Sequence, residues 1–178
     1  MDVFKAIEER REITSFTDKK IQTDILEKLL QSAYLAPSGN NLPSREFIVV
    51  TAKEKLLSLS NSTPYVPWLT TSQAAIVITG RPDVSKYWLQ DASIASGFIW
   101  LQAVESGLGV GFGAIYHSED PVESKKREDY VRAELSIPSD RRIVAILGLG
   151  YQDTPPQPKK LLARDTIIYY EKFNLPEE

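Results

Sequence analysis

Apolar residues recur along this chain first at helical and then at strand spacing, and the changes of period mark out its elements. Val3, Phe4 and Ile7, followed by charged positions, predict a first amphipathic helix with Asp2 as its cap. The polar, mixed stretch from Glu12 to Gln22 reads as a loop. Ile25, Leu26, Leu29, Leu30, Ala33 and Tyr34 then keep one face apolar, which predicts a second helix. Asp24 and Glu27 have the spacing of a capping box, and Pro37-Ser38-Gly39-Asn40-Asn41 stops the helix. Phe47-Ile48-Val49-Val50 is a β-branched run that predicts a strand, and Lys53 to Leu59 has room for a helical turn or two. A loop with Pro64, Tyr65, Pro67 and Trp68 spans 61–72, before a buried strand at Ala74 to Thr79.

The longest helical pattern runs from Val84 to Glu105. Its middle, Ala92 to Val104, is mostly apolar or small, as suits a central core helix, and Gly107-Leu108-Gly109 ends it. Val110 to Ile115 and Arg142 to Leu149 read as further strands, with a charged surface helix between them at Pro121 to Leu135. From Gln152 the chain is proline-rich and then turns apolar and aromatic at Ile167-Ile168-Tyr169-Tyr170. Few strands among many helices predict a sheet covered by helices. The tail is too extended and apolar to stand alone, so it is expected to dock, with a partner subunit as one surface for it.

Composition narrows the chemistry. The 178 residues suit one domain, and 42% hydrophobic against 25% charged residues argues for a packed core. A net charge of −3 gives no reason to expect nucleic acid or an acidic membrane as partner. With no cysteine and a single histidine, His117, the chain has no disulfide, thiolate zinc site, iron–sulfur cluster or cysteine nucleophile. A serine triad would have to use His117, and no GxSxG elbow accompanies it. A lone histidine of this kind reads as a surface loop residue. Reactive side chains are so few that an enzyme of this composition would rely on a bound cofactor. The charged start and the shortness of apolar runs such as Ala74 to Ile78 give the expectation of a cytoplasmic protein.

Four segments stand out as candidate sites, each with two readings. Arg10-Arg11, followed by Thr14, Ser15 and Thr17, has the donors to grip a phosphate, or simply complements a helix C-terminus. Pro37-Ser38-Gly39-Asn40-Asn41 lets a flat ligand approach backbone, or is a plain terminating loop. Gly107 to Gly113 is not a GxGxxG nucleotide fingerprint and follows a helix rather than a strand. It offers backbone to a planar ring, or is a helix cap and a tightly packed strand. Lys159-Lys160 reads alone as a solvated pair.

The order of these features is more specific than any one of them. Arg10-Arg11 to Phe16, Ala36-Pro37-Ser38 with Asn41 and Phe47, Gln90-Asp91-Ala92, Gly107-Leu108-Gly109, Ile137-Pro138 before a strand ending Gly148-Leu149-Gly150-Tyr151, and Pro158-Lys159-Lys160 follow one another. Over nearly the whole chain, from about Phe4 to Phe173, this resembles the FMN-dependent nitroreductase family.

The resemblance implies an α+β fold of a single domain, residues 1–178, with a central mixed, mostly antiparallel sheet wrapped by helices. It implies a homodimer in which the extension from 152 to 178 docks on the partner, with two FMN sites at the interface. Arg10 and Arg11 match the family's basic pair and Phe16 its aromatic residue, while Glu12 stands where serine is typical and Thr14 where arginine is. Pro37, Ser38, Asn41 and Phe47 match the second block, whose contacts, with Gly39, would serve the partner's flavin; Pro43, Ser44 and Arg45 replace its usual Gln-Pro-Trp. Gly111, Phe112, Gly113 and Ala114 fall where family main-chain amides approach the flavin's reactive nitrogen. Lys159 matches the C-terminal basic motif, but Leu161 replaces its arginine. Both lost arginines belong to the phosphate end, so a looser hold on FMN is expected. The implied activity is ping-pong transfer of electrons from NADH or NADPH to a flat acceptor such as a nitroaromatic or quinone, with Tyr65 and Trp68 either lining the acceptor pocket or packing elsewhere. Another flavin reaction on the same fold (dehalogenation, enoyl-type reduction, flavin fragmentation) and a non-catalytic flavin-binding dimer are the alternatives.

Overall fold

A computed structural model describes residues 2–173. The chain folds as α1 (Val3–Glu9), α2 (Thr23–Leu35), β1 (Arg45–Val50), α3 (Lys53–Leu59), β2 (Ala74–Gly80), α4 (Trp88–Glu105), β3 (Gly109–Ala114), α5 (Pro121–Leu135) and β4 (Arg142–Gly150), with short 3₁₀ turns between some of them. The expected tail from 152 to 178 runs past the described residues at 174–178.

The four strands form one sheet in the order β1-β2-β4-β3. Each neighbouring pair in it is antiparallel. Among the described residues, parallel pairing is confined to a single bridge between Glu12 and Val110, outside the ladder.

The sheet's alternation divides the core. Ile76 and Ile78 of β2 face Leu29 and Ala33 of α2 and Ile99 and Ala103 of α4. Val77 faces the other way, onto Leu56 and Leu59 of α3 and Val131 of α5. All seven residues of β2 are buried, which explains why its sequence reads as an uninterrupted apolar run rather than as an alternation. Ala92, Ala95, Ser96 and Ala103 are buried in α4, and their small side chains let this helix lie close on the sheet.

Local signals account for most boundaries. The Asp2 side chain accepts from Phe4 N–H at the start of α1, as its sequence predicts. The Asp120 carboxylate caps α5 through Val122 and Glu123 N–H, with Pro121 in the first turn. Gly107, at φ 76, supplies the left-handed residue just past α4.

Two expectations are corrected. Asp24 does not cap α2: the helix begins at Thr23, two residues earlier than a capping Asp24 allows, and Gln22 precedes it without a side-chain cap. The long helix begins at Trp88 rather than Val84. Val84 and Ser85 instead close a turn on the Arg81 carbonyl, and Ser85 Oγ accepts from Tyr87 N–H. The loop 61–72 also contains a 3₁₀ turn at Pro67–Thr71.

Candidate functional site

After α1 the backbone turns extended at Arg10, and residues 10–17 are stitched across one end of the sheet. Ile13 N–H donates to the Val110 carbonyl of β3 (2.9 Å), and Thr17 N–H donates to the Tyr151 carbonyl just past β4 (2.9 Å). Asp153 N–H returns to the Ser15 carbonyl. Phe16 is buried and its ring lies over Gly150.

This stitching needs bare backbone beneath it. A Cβ on Gly109 would meet the Ile13 side chain at 2.7 Å, and one on Gly111 would meet the Ile13 carbonyl oxygen at 2.9 Å and the Trp68 ring at 2.8 Å. A Cβ on Gly113 would meet Val66 at 2.5 Å. The glycine face of β3 is therefore filled by the protein's own Ile13, Trp68 and Val66, as the packed-strand reading requires. What β3 offers to a ligand is main chain along its outer edge. There Phe112 N–H donates to the Glu12 carboxylate (3.3 Å), so Glu12 points along β3.

Beside this edge three cations gather. The Arg11 guanidinium donates to the carbonyls of Glu8, Glu9 and Arg10 at the end of α1 and, through Nε, to the Gln157 carbonyl (3.0 Å). Lys159 Nζ reaches the Ile7 carbonyl (2.5 Å). The Arg10 guanidinium lies 4.8 Å from the centre of the Trp100 ring. Of the Arg10-Arg11 pair, Arg11 thus complements the C-terminus of α1, and Lys159, read from sequence as part of a solvated pair, reaches a carbonyl of the same helix. Among the described residues, none of the three cations forms an ion pair with a carboxylate. Carbonyl partners fix these side chains without neutralising them. Burial, and then the neighbouring Arg10 and Arg11, hold the Lys159 ammonium below the ordinary lysine range. A dianion placed among them would relieve that repulsion.

A groove of about 410 Å³ opens here, lined by residues 11–15, the Glu12 carboxylate among them, and by residues 154–157. A second hollow of the same size shares Arg11, Ile13 and Pro156. Both lie in the range that holds a small cofactor. Thr14 and Leu161 are exposed and add no charge.

The loop of Pro37, Ser38, Gly39 and Asn41 is a separate construction. Asp91, buried at the start of α4, accepts from Gly39 N–H (2.9 Å) and from the Ser44 hydroxyl. Ser38 Oγ donates to the Leu42 carbonyl, and Arg45 donates to the Ala36 carbonyl. Asn40 and Asn41 take left-handed φ values of 54 and 56, which asparagine tolerates better than most residues. None of these bonds reaches residues 10–14. Within one chain, the cations, Glu12, the β3 edge and Lys159 come together and the Pro37–Asn41 loop does not join them.

Two residues that hold these parts were not among the expected site residues, although Asp91 stood in the Gln90-Asp91-Ala92 motif. Trp100 sits under Arg10 and Arg11, and Asp91 anchors the loop. Asp91 had a signal, a carboxylate at the head of an otherwise small-residue helix; Trp100 had none, because its partners are distant in sequence. Trp68 packs on Gly111 and Gly148 and donates its indole N–H to the Tyr65 carbonyl, whereas Tyr65 itself is exposed. His117 Nδ1 accepts from Asp120 N–H (3.0 Å), in the loop leading to α5 and away from the groove.

The architecture places the chain among α+β proteins of nitroreductase-like fold. The structure of an FMN-dependent nitroreductase from Clostridium difficile R20291 superposes with a TM-score of 0.86 at 32% identity, covering 94% of this chain and 98% of that one. A structure from Bacteroides thetaiotaomicron superposes with a TM-score of 0.88 at 29% identity, covering 96% and 98%. In sequence, residues 7–65 match the nitroreductase family profile. A protein of Methanothermobacter thermautotrophicus, carrying the provisional name NADH dehydrogenase/NAD(P)H nitroreductase, is 32% identical over 97% of this chain and 88% of its own length. The chain belongs to the nitroreductase family.

Proposed function

We propose that this chain is an NAD(P)H-dependent FMN oxidoreductase, acting as a homodimer, that reduces small flat acceptors such as nitroaromatics and quinones by a ping-pong sequence. The observation that carries the reading is the set of three cations, Arg10, Arg11 and Lys159, held without a carboxylate partner beside the groove. Their chemistry fits the phosphate of FMN, and the main chain of Gly111 to Ala114 lies at the adjoining edge for the ring. When bound, FMN supplies the hydride chemistry, accepting from a reduced nicotinamide and passing electrons to an acceptor that uses the same face in turn. The chain's own side chains bind and orient. Among the described residues no hydrogen bond joins Pro37, Ser38, Gly39 or Asn41 to Arg10, Arg11 or Lys159, in keeping with service to the partner's site.

Relatives support the cofactor and the donor. Besides the FMN-dependent structure from C. difficile, an FMN reductase [NAD(P)H] of Bacillus subtilis is 24% identical over 62% of this chain. The homodimer draws support from exposed apolar residues on α1 and α4, from an apolar tail with Leu161, Leu162 and Tyr170 exposed, and from the outer edge of β1, which has no ladder partner among the described residues. Among those residues no helix is long and apolar enough to cross a membrane.

The visible spectrum of the purified protein tests the reading, recorded before and after anaerobic NADH and NADPH. Flavin absorption that bleaches with one of them, and returns with a nitroaromatic or quinone, is expected. Colourless protein that does not retain added FMN would overturn the cofactor assignment. Bleaching with no acceptor turnover would overturn the acceptor class alone.

A further inference from the structure

We infer that Trp100 determines a preference for phosphorylated over unphosphorylated flavin, by holding Arg10 and Arg11 in one arrangement. The inference rests on the FMN reading of the groove.

Three independent contacts converge on this ring. The indole N–H donates to the Arg11 carbonyl (3.3 Å). The Arg10 guanidinium lies over the ring, 4.8 Å from its centre. Phe112 stacks against it with centroids 6.1 Å apart and planes 9° from parallel. Trp100 itself is anchored, because α4 is the central helix and the neighbouring Ile99 is fully buried. The ring is therefore a fixed floor beneath a loop that would otherwise carry two long, entropy-rich side chains.

That floor matters most for a phosphate. A dianion gains from cations only where they converge, and arginine that must be ordered at binding loses part of the gain. Trp100 orders Arg10 by the ring face and Arg11 by its backbone. Lys159 is held separately by the Ile7 carbonyl. Removing the ring should thus weaken the hold on the phosphate and spare the rest of the flavin. Trp100 is a positioning residue here, acting on the ligand through the arginines.

Riboflavin carries the same ring system without the phosphate, so the ratio of riboflavin to FMN dissociation constants isolates the effect. Flavin fluorescence titrations of the wild type, W100L, W100F and K159A measure that ratio, with Tm recorded for each. W100L is expected to weaken FMN about tenfold and riboflavin less than about twofold. W100F keeps a ring but loses the indole N–H, and falls between wild type and W100L. Equal losses for both ligands, or an unchanged ratio in W100F where W100L does not fold, would overturn the inference. A ratio lowered in K159A but untouched in both Trp100 variants would overturn it while leaving the phosphate reading standing. A wild type that does not prefer FMN, or a K159A protein that keeps the wild-type ratio, overturns the phosphate reading and this inference with it.

Discussion

A single glycine shows how far the sequence can be read residue by residue. Gly111 sits in a glycine-alternating segment that equally suits a planar ligand or a tightly packed strand. The alternation was legible, and so was the need for close approach. What approaches was not, because Trp68 and Ile13 come from elsewhere in the chain, and only the folded sheet brings them there. The same limit applied to Glu12, which lines the groove and whose carboxylate accepts from Phe112 N–H, a partner far away in sequence. The packing carries a prediction. Alanine at Gly111 would put its Cβ 2.9 Å from the Ile13 carbonyl, a backbone atom that gives only if the whole loop lifts. Gly111→Ala is expected to cost about 1–3 kcal/mol, read as a lower Tm. An unchanged Tm would mean that the loop is not tied down where Ile13 meets β3.

At the scale of elements, punctuation decided what could be foreseen. Pro121 and Leu135 bound α5 as its sequence predicts, because Asp120, Pro121 and the change to apolar Ile137 are local signals. The start of α4 was not foreseen, because the turn at Arg81–Ser85 keeps helical spacing while bonding as a turn. Nor does the charged sequence of α5 reveal its one buried acid. Glu128 accepts from Nε and Nη2 of Arg142, from Ile143 N–H of β4 and from the Ser124 hydroxyl. Burial pushes its carboxyl up, but Arg142, Ile143 N–H and Ser124 together hold it below the ordinary glutamate value. The sign follows from linkage. A depressed carboxylate contributes stability above the unfolded value, and loses it as pH falls through the folded one. Glu128→Gln is expected to lower stability by about 1–3 kcal/mol at neutral pH, since it leaves Arg142 and the Ile143 amide poorly paired. The Tm gap between variant and wild type should narrow as pH is lowered to about 3. A gap independent of pH would show that the carboxylate's charge does not hold α5 to β4.

For the molecule as a whole, family and fold were legible from the order of weak motifs, and the strand order β1-β2-β4-β3 was not, since pairing partners leave no local signal. A pattern that was legible, an apolar tail with nothing to cover it, now has a counterpart in the fold. Val3 is 67% exposed and Phe4 64%, on a helix whose amphipathic repeat points them outward. On α4, Ile94 and Phe98 are each about two-fifths exposed, though this helix is central to the core. Phe98 lines an apolar hollow of about 340 Å³ with Val3, Ala6 and Leu101. A free monomer rarely shows so much connected apolar surface on its core helix, and a second copy covering it would bury the area a stable dimer needs, roughly 1,200 Å² or more. Phe98→Asp places a carboxylate in that contact. If the face is covered, the buried charge costs several kcal/mol of association while the isolated fold, in which the position is half open, keeps its circular dichroism. Sedimentation equilibrium is expected to give twice the chain mass for the wild type and the single chain mass for the variant. FMN retention should fall in parallel, because the Pro37–Asn41 loop would no longer reach the partner's groove. A variant that remains dimeric would place the interface elsewhere, and a monomeric variant that still holds FMN as tightly would show that one chain completes the site alone.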